Sequence, residues 1–135
     1  MADPTVESLL SQLLSTDNNI RSRAEVTFND AKTEADPLTL GMVSCLRFSH
    51  TVGLRSIAAV LLRQILTKDE ESIYPKLSDE GKKLLKNQLI IALQSEPEQH
   101  IVQKVLHYLY IFALYIIYYI FMHKCIHVET KFHSY

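Results

Sequence analysis

Apolar residues recur at helical spacing through the first hundred residues, and this pattern constrains the fold most. Asp3 and Pro4 form a helix-opening pair, because Asp accepts hydrogen bonds from free backbone N–H groups and Pro tolerates the first helical position. The residues that follow have the i, i+3, i+4, i+7 spacing of a one-sided helix: Val6, Leu9, Leu10, Leu13 and Leu14. With only three Gly, four Pro and little strand-like alternation, the sequence predicts an all-α protein.

Capping residues and apolar stripes predict five further helices. The second is expected to start at the Ser15-Thr16-Asp17 cap and to run to about Lys32, forming a hairpin with the first. Its predicted buried stripe is Ile20, Ala24, Phe28 and Ala31. The openings predicted for helices three to six are Asp36-Pro37, Thr51, Ser78 and Ser95-Glu96-Pro97. The fourth helix has apolar residues on more than one face, so we expect it to pack on two sides.

The three predicted hairpins open at regular intervals. They begin near residues 3, 36 and 78, which gives spacings of 33 and then about 42 residues. Helical-pair repeats such as HEAT units have this range of lengths. We therefore predict an α-solenoid of about three HEAT-like hairpins over residues 1–104. An ordinary six-helix bundle has the same periodicity, so the pattern alone leaves both architectures open.

The charge balance and the cysteines bound the functional class. A formal net charge of -1 lacks the basic excess that attracts phosphate, so nucleic acid is not an expected partner. Cys45 and Cys125 lie far apart in sequence, and no signal-peptide pattern opens the chain. We therefore expect a cytosolic, reducing compartment and no disulfide framework.

No pattern of residues indicates catalysis or a bound cofactor. Gly41, Gly53 and Gly81 are isolated and follow no strand, so a phosphate-binding loop is not predicted. The serines lack the flanking pattern of a nucleophile elbow, and the acidic residues are explained by helix capping and solubility. We expect no catalytic residue, no cofactor and no enzymatic activity.

A cluster of zinc-ligand residue types lies close to the carboxyl end. It consists of His123, Cys125, His127 and His133. A His-x-Cys-x-His run has no second ligand pair at a standard separation. We therefore expect coincidence and no metal site.

Two motifs carry a family resemblance. The second predicted helix contains Arg21-Ser22-Arg23-Ala24-Glu25, and the fourth contains Arg55-Ser56-Ile57-Ala58-Ala59-Val60-Leu61-Leu62-Arg63-Gln64. An Arg-x-x-Ala-Glu element followed by Arg-x-x-Ala-Ala-x-x-Leu at about this separation resembles the amino-terminal domain of the importin-β family. Together with Tyr74-Pro75-Lys76-Leu77, the Ala-Ala-Val-Leu-Leu-Arg run is most similar to the karyopherin-β3 branch of nuclear import receptors. The likeness covers residues 1 to about 105.

The resemblance implies a fold, a partner and a location. It implies a solenoid of HEAT repeats whose first repeats help to bind the GTP-loaded small GTPase Ran and whose later repeats hold cargo. It also implies a role in protein import and a location in cytoplasm and nucleus. The motifs are mainly packing signatures, because Ala24, Ala58 and Ala59 are small enough to let neighbouring helices approach closely.

Arg55 and Arg63 are the candidate partner-binding residues in the fourth predicted helix. An arginine in this setting is also typical of a solvated face or of an ion pair with a packed stem. The likeness stops after about two and a half repeats, so cargo binding is doubtful and Ran binding is expected to be weakened. We expect a truncated or alternatively spliced product with a non-homologous tail.

The tail, residues 105–135, differs sharply from the rest of the chain. It holds only three of the 29 charged residues, and Val105–Met122 is an uncharged run of 18 residues with five tyrosines. That length is the lower limit for a transmembrane helix. A membrane span, an extension of the sixth helix that covers the open end of the solenoid, and an aggregation-prone segment all remain open. The alternative function is a small tail-anchored membrane protein with a cytosolic helical head.

Overall fold

The computed structural model describes residues 1–67 and 72–107, together with Tyr110 and Met122. Their regular structure consists of helices, with no strand among the described residues, which confirms the all-α prediction. The helices are α1 (Pro4–Leu13), α2 (Asn18–Ala31), α3 (Ala35–Phe48), α4 (Val52–Thr67), α5 (Asp79–Ser95) and α6, described over 99–107. A 3₁₀ turn, Tyr74–Lys76, precedes α5. The arrangement of the hairpins as a solenoid stays a prediction.

Three of the predicted helix caps are confirmed. The Asp3 carboxylate accepts hydrogen bonds from the N–H groups of Thr5 and Val6, at 3.0 and 3.2 Å. The Asp17 carboxylate caps α2 in the same way. The Ser78 hydroxyl accepts from the N–H of Gly81 at 2.9 Å and caps α5. These caps were predictable because each side chain bonds to backbone within three residues.

The predicted opening of α3 by Asp36-Pro37 is wrong in its detail. The helix begins at Ala35, and its N-cap, Glu34, makes no side-chain capping bond. Asp36 lies in the first turn, where its carboxylate accepts from the backbone N–H of Ser78 at 3.0 Å and from the Ser78 hydroxyl. Asp36 therefore accepts hydrogen bonds from the start of α5 and does not cap its own helix.

Helix α3 lies at the centre of the core. It packs against α1, α4 and α5, and eight of its 14 residues are buried. Helix α4 also contacts α1 and the 3₁₀ turn, so the predicted packing on two sides is confirmed. The small residues Ala24, Ala58 and Ala59 are at most 1% exposed, as the packing interpretation of the motifs requires.

Several predicted core positions are wrong. Ile20, placed on the buried stripe of α2, is 36% exposed, and the extensive contacts of α2 are with α1. Leu14, on the predicted apolar face of the first helix, lies beyond the last residue of α1 and is 50% exposed. Ala24 and Phe28 are the buried residues of α2.

Helix α6 contributes to the core on both sides of residue 104. Ile101 and Val105 are fully buried within it, and α6 is helical through residue 107. Most of the Val105–Met122 run lies outside the described residues, as does the His123 to His133 cluster. Among the residues that the structure describes, no helix has the length and apolar character needed to cross a membrane.

Candidate partner-binding surface

The two arginines that were singled out in the sequence both lie on α4 but point in different directions. Arg55 and Arg63 are eight residues apart, which places their side chains about 80° apart around the helix axis. Arg55 lies on the side that faces the core, whereas Arg63 lies at its exposed edge. The structure therefore does not bring the two guanidinium groups together into one site.

The Arg55 side chain is fully engaged inside the protein. Its Nε and Nη2 donate to the two carboxylate oxygens of Glu96, at 3.0 and 3.3 Å, and its Nη1 donates to the carbonyl oxygen of Ser49 at 3.0 Å. The exposed fractions of the two side chains are 12% for Arg55 and 4% for Glu96. Loss of one partner from a buried pair strands the other charge and costs about 3–5 kcal/mol.

Arg55 belongs to a chain of polar contacts that connects all three hairpins. The Ser49 hydroxyl, at the end of α3, donates to Glu7 of α1 at 3.1 Å. Glu96 also accepts from the backbone N–H of Glu98 at 3.1 Å, just before α6. Sequence reasoning missed Glu7 and Glu96 as partners, because the Ser49–Glu7 and Arg55–Glu96 contacts join residues more than 40 positions apart.

A small cleft lies beside this polar chain. It has a volume of about 180 Å³ and is lined by the end of α3, by Arg55 and by the link between α5 and α6. Arg47 is the second arginine in its wall. The Arg47 Nη1 donates to Oε1 of Gln88, and the guanidinium carbon lies 4.4 Å from the centre of the Phe48 ring. No sequence motif identified Arg47.

A larger groove separates α1 from α2 and α3. Its volume is about 480 Å³, and its lining is mainly apolar, with Leu9, Ala31 and Leu38 in its walls. Asp3 and Glu34 supply the charged groups of the lining. Neither Arg55 nor Arg63 reaches this groove, so it is distinct from the surface predicted on α4.

Two titratable groups have shifted pKa values. Hydrogen bonds from the Ser78 hydroxyl and then from its backbone N–H lower the pKa of Asp36 below its ordinary 3.8. Burial, followed by the charges of Glu7 and Asp3, raises the pKa of the Cys45 thiol to about 11. Cys45 therefore stays protonated at neutral pH, and a buried neutral thiol is a poor nucleophile.

Other side chains at this surface have structural roles. The Lys104 ammonium donates to the Ser56 hydroxyl at 3.1 Å and joins α6 to α4. Lys82 lies 5.2 Å from the centre of the Tyr74 ring. Arg63, by contrast, is exposed.

No protein-family model matches the chain.

Proposed function

We propose that the chain is a non-enzymatic binding module of the nuclear transport receptor type, which binds the GTP form of Ran and takes part in protein import. Cytoplasm and nucleus are the locations that go with this role, and a short solenoid of HEAT-like hairpins is the architecture. The observation that carries the proposal is the pair of motifs in α2 and α4, because their small residues Ala24, Ala58 and Ala59 are buried at helix contacts.

The surroundings of Arg55 and Arg63 in α4 support different roles for the two arginines. Arg55 is committed to Glu96 and Ser49, so it stabilises the hairpins and is not available to a partner. Arg63 is exposed on the same helix and can contact a partner without disturbing the core. Arg63 is therefore the partner-binding residue of the pair. Affinity depends on a few such anchors more than on contact area.

A pull-down of purified Ran by the full chain tests this proposal. We expect more Ran to be retained when it is loaded with GTP than with GDP. Arg63→Glu should weaken retention of the GTP form by about tenfold, with no change in melting temperature. Lys83→Glu, a charge reversal at an exposed position on α5, is the matched control and should leave retention unchanged. Equal retention of the GTP and GDP forms would contradict the proposal.

The alternative proposal is a tail-anchored membrane protein with a cytosolic helical head. It is supported by the uncharged run Val105–Met122, most of which lies outside the described residues. If the run spans a bilayer, the full chain should stay with membranes through carbonate extraction. Ile116→Arg should then release it, because a charge at mid-bilayer costs about 2.5–3.5 kcal/mol. Release of the unmodified chain by carbonate would exclude the anchor.

A further inference from the structure

The cleft at the end of α3 contains two arginines in unlike environments. Arg55 holds the carboxylate of Glu96 side-on, through Nε and Nη2. Arg47 lines the same cleft, and its Nη1 is bonded to the amide oxygen of Gln88. Its Nε is buried and has no hydrogen-bond partner among the described residues. Nε, one of the two atoms with which Arg55 holds its carboxylate, is thus unsatisfied in Arg47.

The charges of the cleft are also unbalanced. Two guanidinium groups and the single carboxylate of Glu96 line it, so the net charge of the lining side chains is +1. Within the described part of the chain, Arg47 has no carboxylate at ion-pair distance, and Glu96 is committed to Arg55. An unsatisfied buried donor on a charged group is costly, so it marks a position where a further acceptor is favoured.

Two contacts position the Arg47 guanidinium beside the cleft. Gln88 fixes one nitrogen, and the Phe48 ring packs against the guanidinium group. Leu46 and Ala92 contribute apolar wall to the cleft and are at most 2% exposed, which strengthens a charged hydrogen bond formed beside them. The planar guanidinium fork matches a carboxylate, which can accept from Nε and Nη2 together.

We propose that this cleft binds the carboxylate of an aspartate or glutamate side chain from a partner protein, with Arg47 as the anchoring residue. The volume of about 180 Å³ suits one acidic side chain and is too small for a peptide segment. Because Nε is covered by neighbouring atoms, the Arg47 side chain shifts as the carboxylate binds. The inference rests on the proposed role in protein binding, but it does not require that the partner be Ran.

A titration of the full chain, followed through the arginine Nε–H resonances by NMR, tests the site directly. The probe is N-acetyl-glutamate N-methylamide, with the glutamine analogue as the uncharged control. We expect the Arg47 resonance to shift saturably with the glutamate probe only, and the Arg55 resonance, which already reports a carboxylate contact, to stay unchanged. No saturable shift of the Arg47 resonance would overturn the proposal. A response to inorganic phosphate without one to the glutamate probe would also overturn it.

Two variants separate the Arg47 fork from its charge. Arg47→Lys keeps the charge but removes the fork, so probe binding, followed by the backbone amide shifts of Arg55 and Glu96, should weaken by about tenfold. Gln88→Glu supplies an internal carboxylate to Arg47 and should compete with the probe, while keeping the size of the side chain. Arg23→Lys, at an exposed position on α2 outside the cleft, is the control and should bind the probe like the unmodified chain.

These outcomes are independent of the test for Ran. If the glutamate probe binds normally to Arg47→Lys and to Gln88→Glu, Arg47 is not the anchor and the proposal fails. Failure of the Ran pull-down with a normal probe titration would contradict the identity of the partner but leave the carboxylate site standing. A normal Ran pull-down without a saturable probe titration would contradict the carboxylate site but leave Ran as the proposed partner.

Discussion

Helices α2 and α3 have the same length and very different surroundings. Each has 14 residues, but eight are buried in α3 and only two, Ala24 and Phe28, in α2. Helix α3 packs against α1, α4 and α5, whereas the extensive contacts of α2 are with α1. Local periodicity therefore predicts that a helix forms and which face is apolar, but the number of neighbouring helices determines how much of it is buried.

The difference predicts unequal freedom to adjust. A helix packed on several sides cannot move away from one neighbour without moving into another, so volume changes in α3 or α4 must be absorbed as strain or as a cavity. Helix α2 can shift away from α1 into solvent. Substitutions of the same type should therefore cost more free energy of unfolding in α3 and α4 than in α2.

Deletion of a large side chain should give the largest difference. Met42 in α3 is fully buried, so Met42→Ala should lower the free energy of unfolding by about 2–5 kcal/mol through lost burial and a cavity. Val26 in α2 is 61% exposed, and Val26→Ala should stay within about 0.5 kcal/mol. Urea unfolding of the two variants measures both values. Similar losses in the two helices would contradict the central position of α3.

Overpacking provides a sharper comparison, because it uses the same substitution at two buried alanines. Ala59 in α4 and Ala24 in α2 are 0% and 1% exposed. Ala59→Leu should cost about 1–3 kcal/mol, since the added side chain meets a helix that is held on several sides. Ala24→Leu should cost clearly less, because α2 can move outward. If the two costs in urea unfolding are equal, the freedom assigned to α2 is wrong.

The sequence was informative where an interaction is local and misleading where it is not. Asp3, Asp17 and Ser78 were predicted as caps because a capping side chain bonds to its own first turn. The partnership of Asp36 with Ser78, 42 residues away, could not be predicted, because it depends on how α3 and α5 pack. The exposure of Ile20 has the same origin, since no local signal reports how many helices surround α2.

The candidate site divides in the same way. The eight-residue spacing in the sequence is enough to place Arg55 and Arg63 in different directions around a helix. Which of them is buried depends on Glu96, whose position follows from the end of α5 and the link to α6. Arg47 had no sequence signal at all, because its environment is formed by Gln88 of α5 and by the cleft beside it.

The glycines of α3 and α4 test close packing on a smaller scale. A Cβ on Gly41 would lie 2.5 Å from Cγ2 of Val6, so α1 approaches α3 closely at this point. A Cβ on Gly53, at the exposed start of α4, would lie 3.9 Å from Cγ2 of Thr51, an ordinary van der Waals contact. Gly53→Ala should therefore stabilise the protein by about 0.5–1 kcal/mol, through reduced flexibility of the unfolded chain. Gly41→Ala should destabilise the protein, although it reduces the flexibility of the unfolded chain equally. Thermal melts compare the melting temperatures of the two variants.

The smallest expected effect is the pH dependence that Asp36 gives to the junction of α3 and α5. Its pKa in the folded protein is lowered below 3.8 by the Ser78 hydroxyl and backbone N–H. The folded state therefore favours the ionised carboxylate, and this stabilisation is fully present above the unfolded pKa. It is lost as the pH falls through the lowered, folded pKa.

A ¹³C NMR titration of the Asp36 carboxyl group measures this shift directly. We expect a midpoint below 3.8, and a midpoint closer to 3.8 in Ser78→Ala, which removes the hydroxyl donor but keeps the backbone N–H. The difference in urea midpoint between the unmodified chain and Asp36→Asn should shrink as the pH is lowered from 7 through the pKa of the folded state, because below that pKa the carboxylate is neutral in both states. If the difference stays constant over this range, the charged contact between Asp36 and Ser78 does not stabilise the junction of α3 and α5. The start of α3 would then lack this restraint, and its freedom to move would be closer to that of α2.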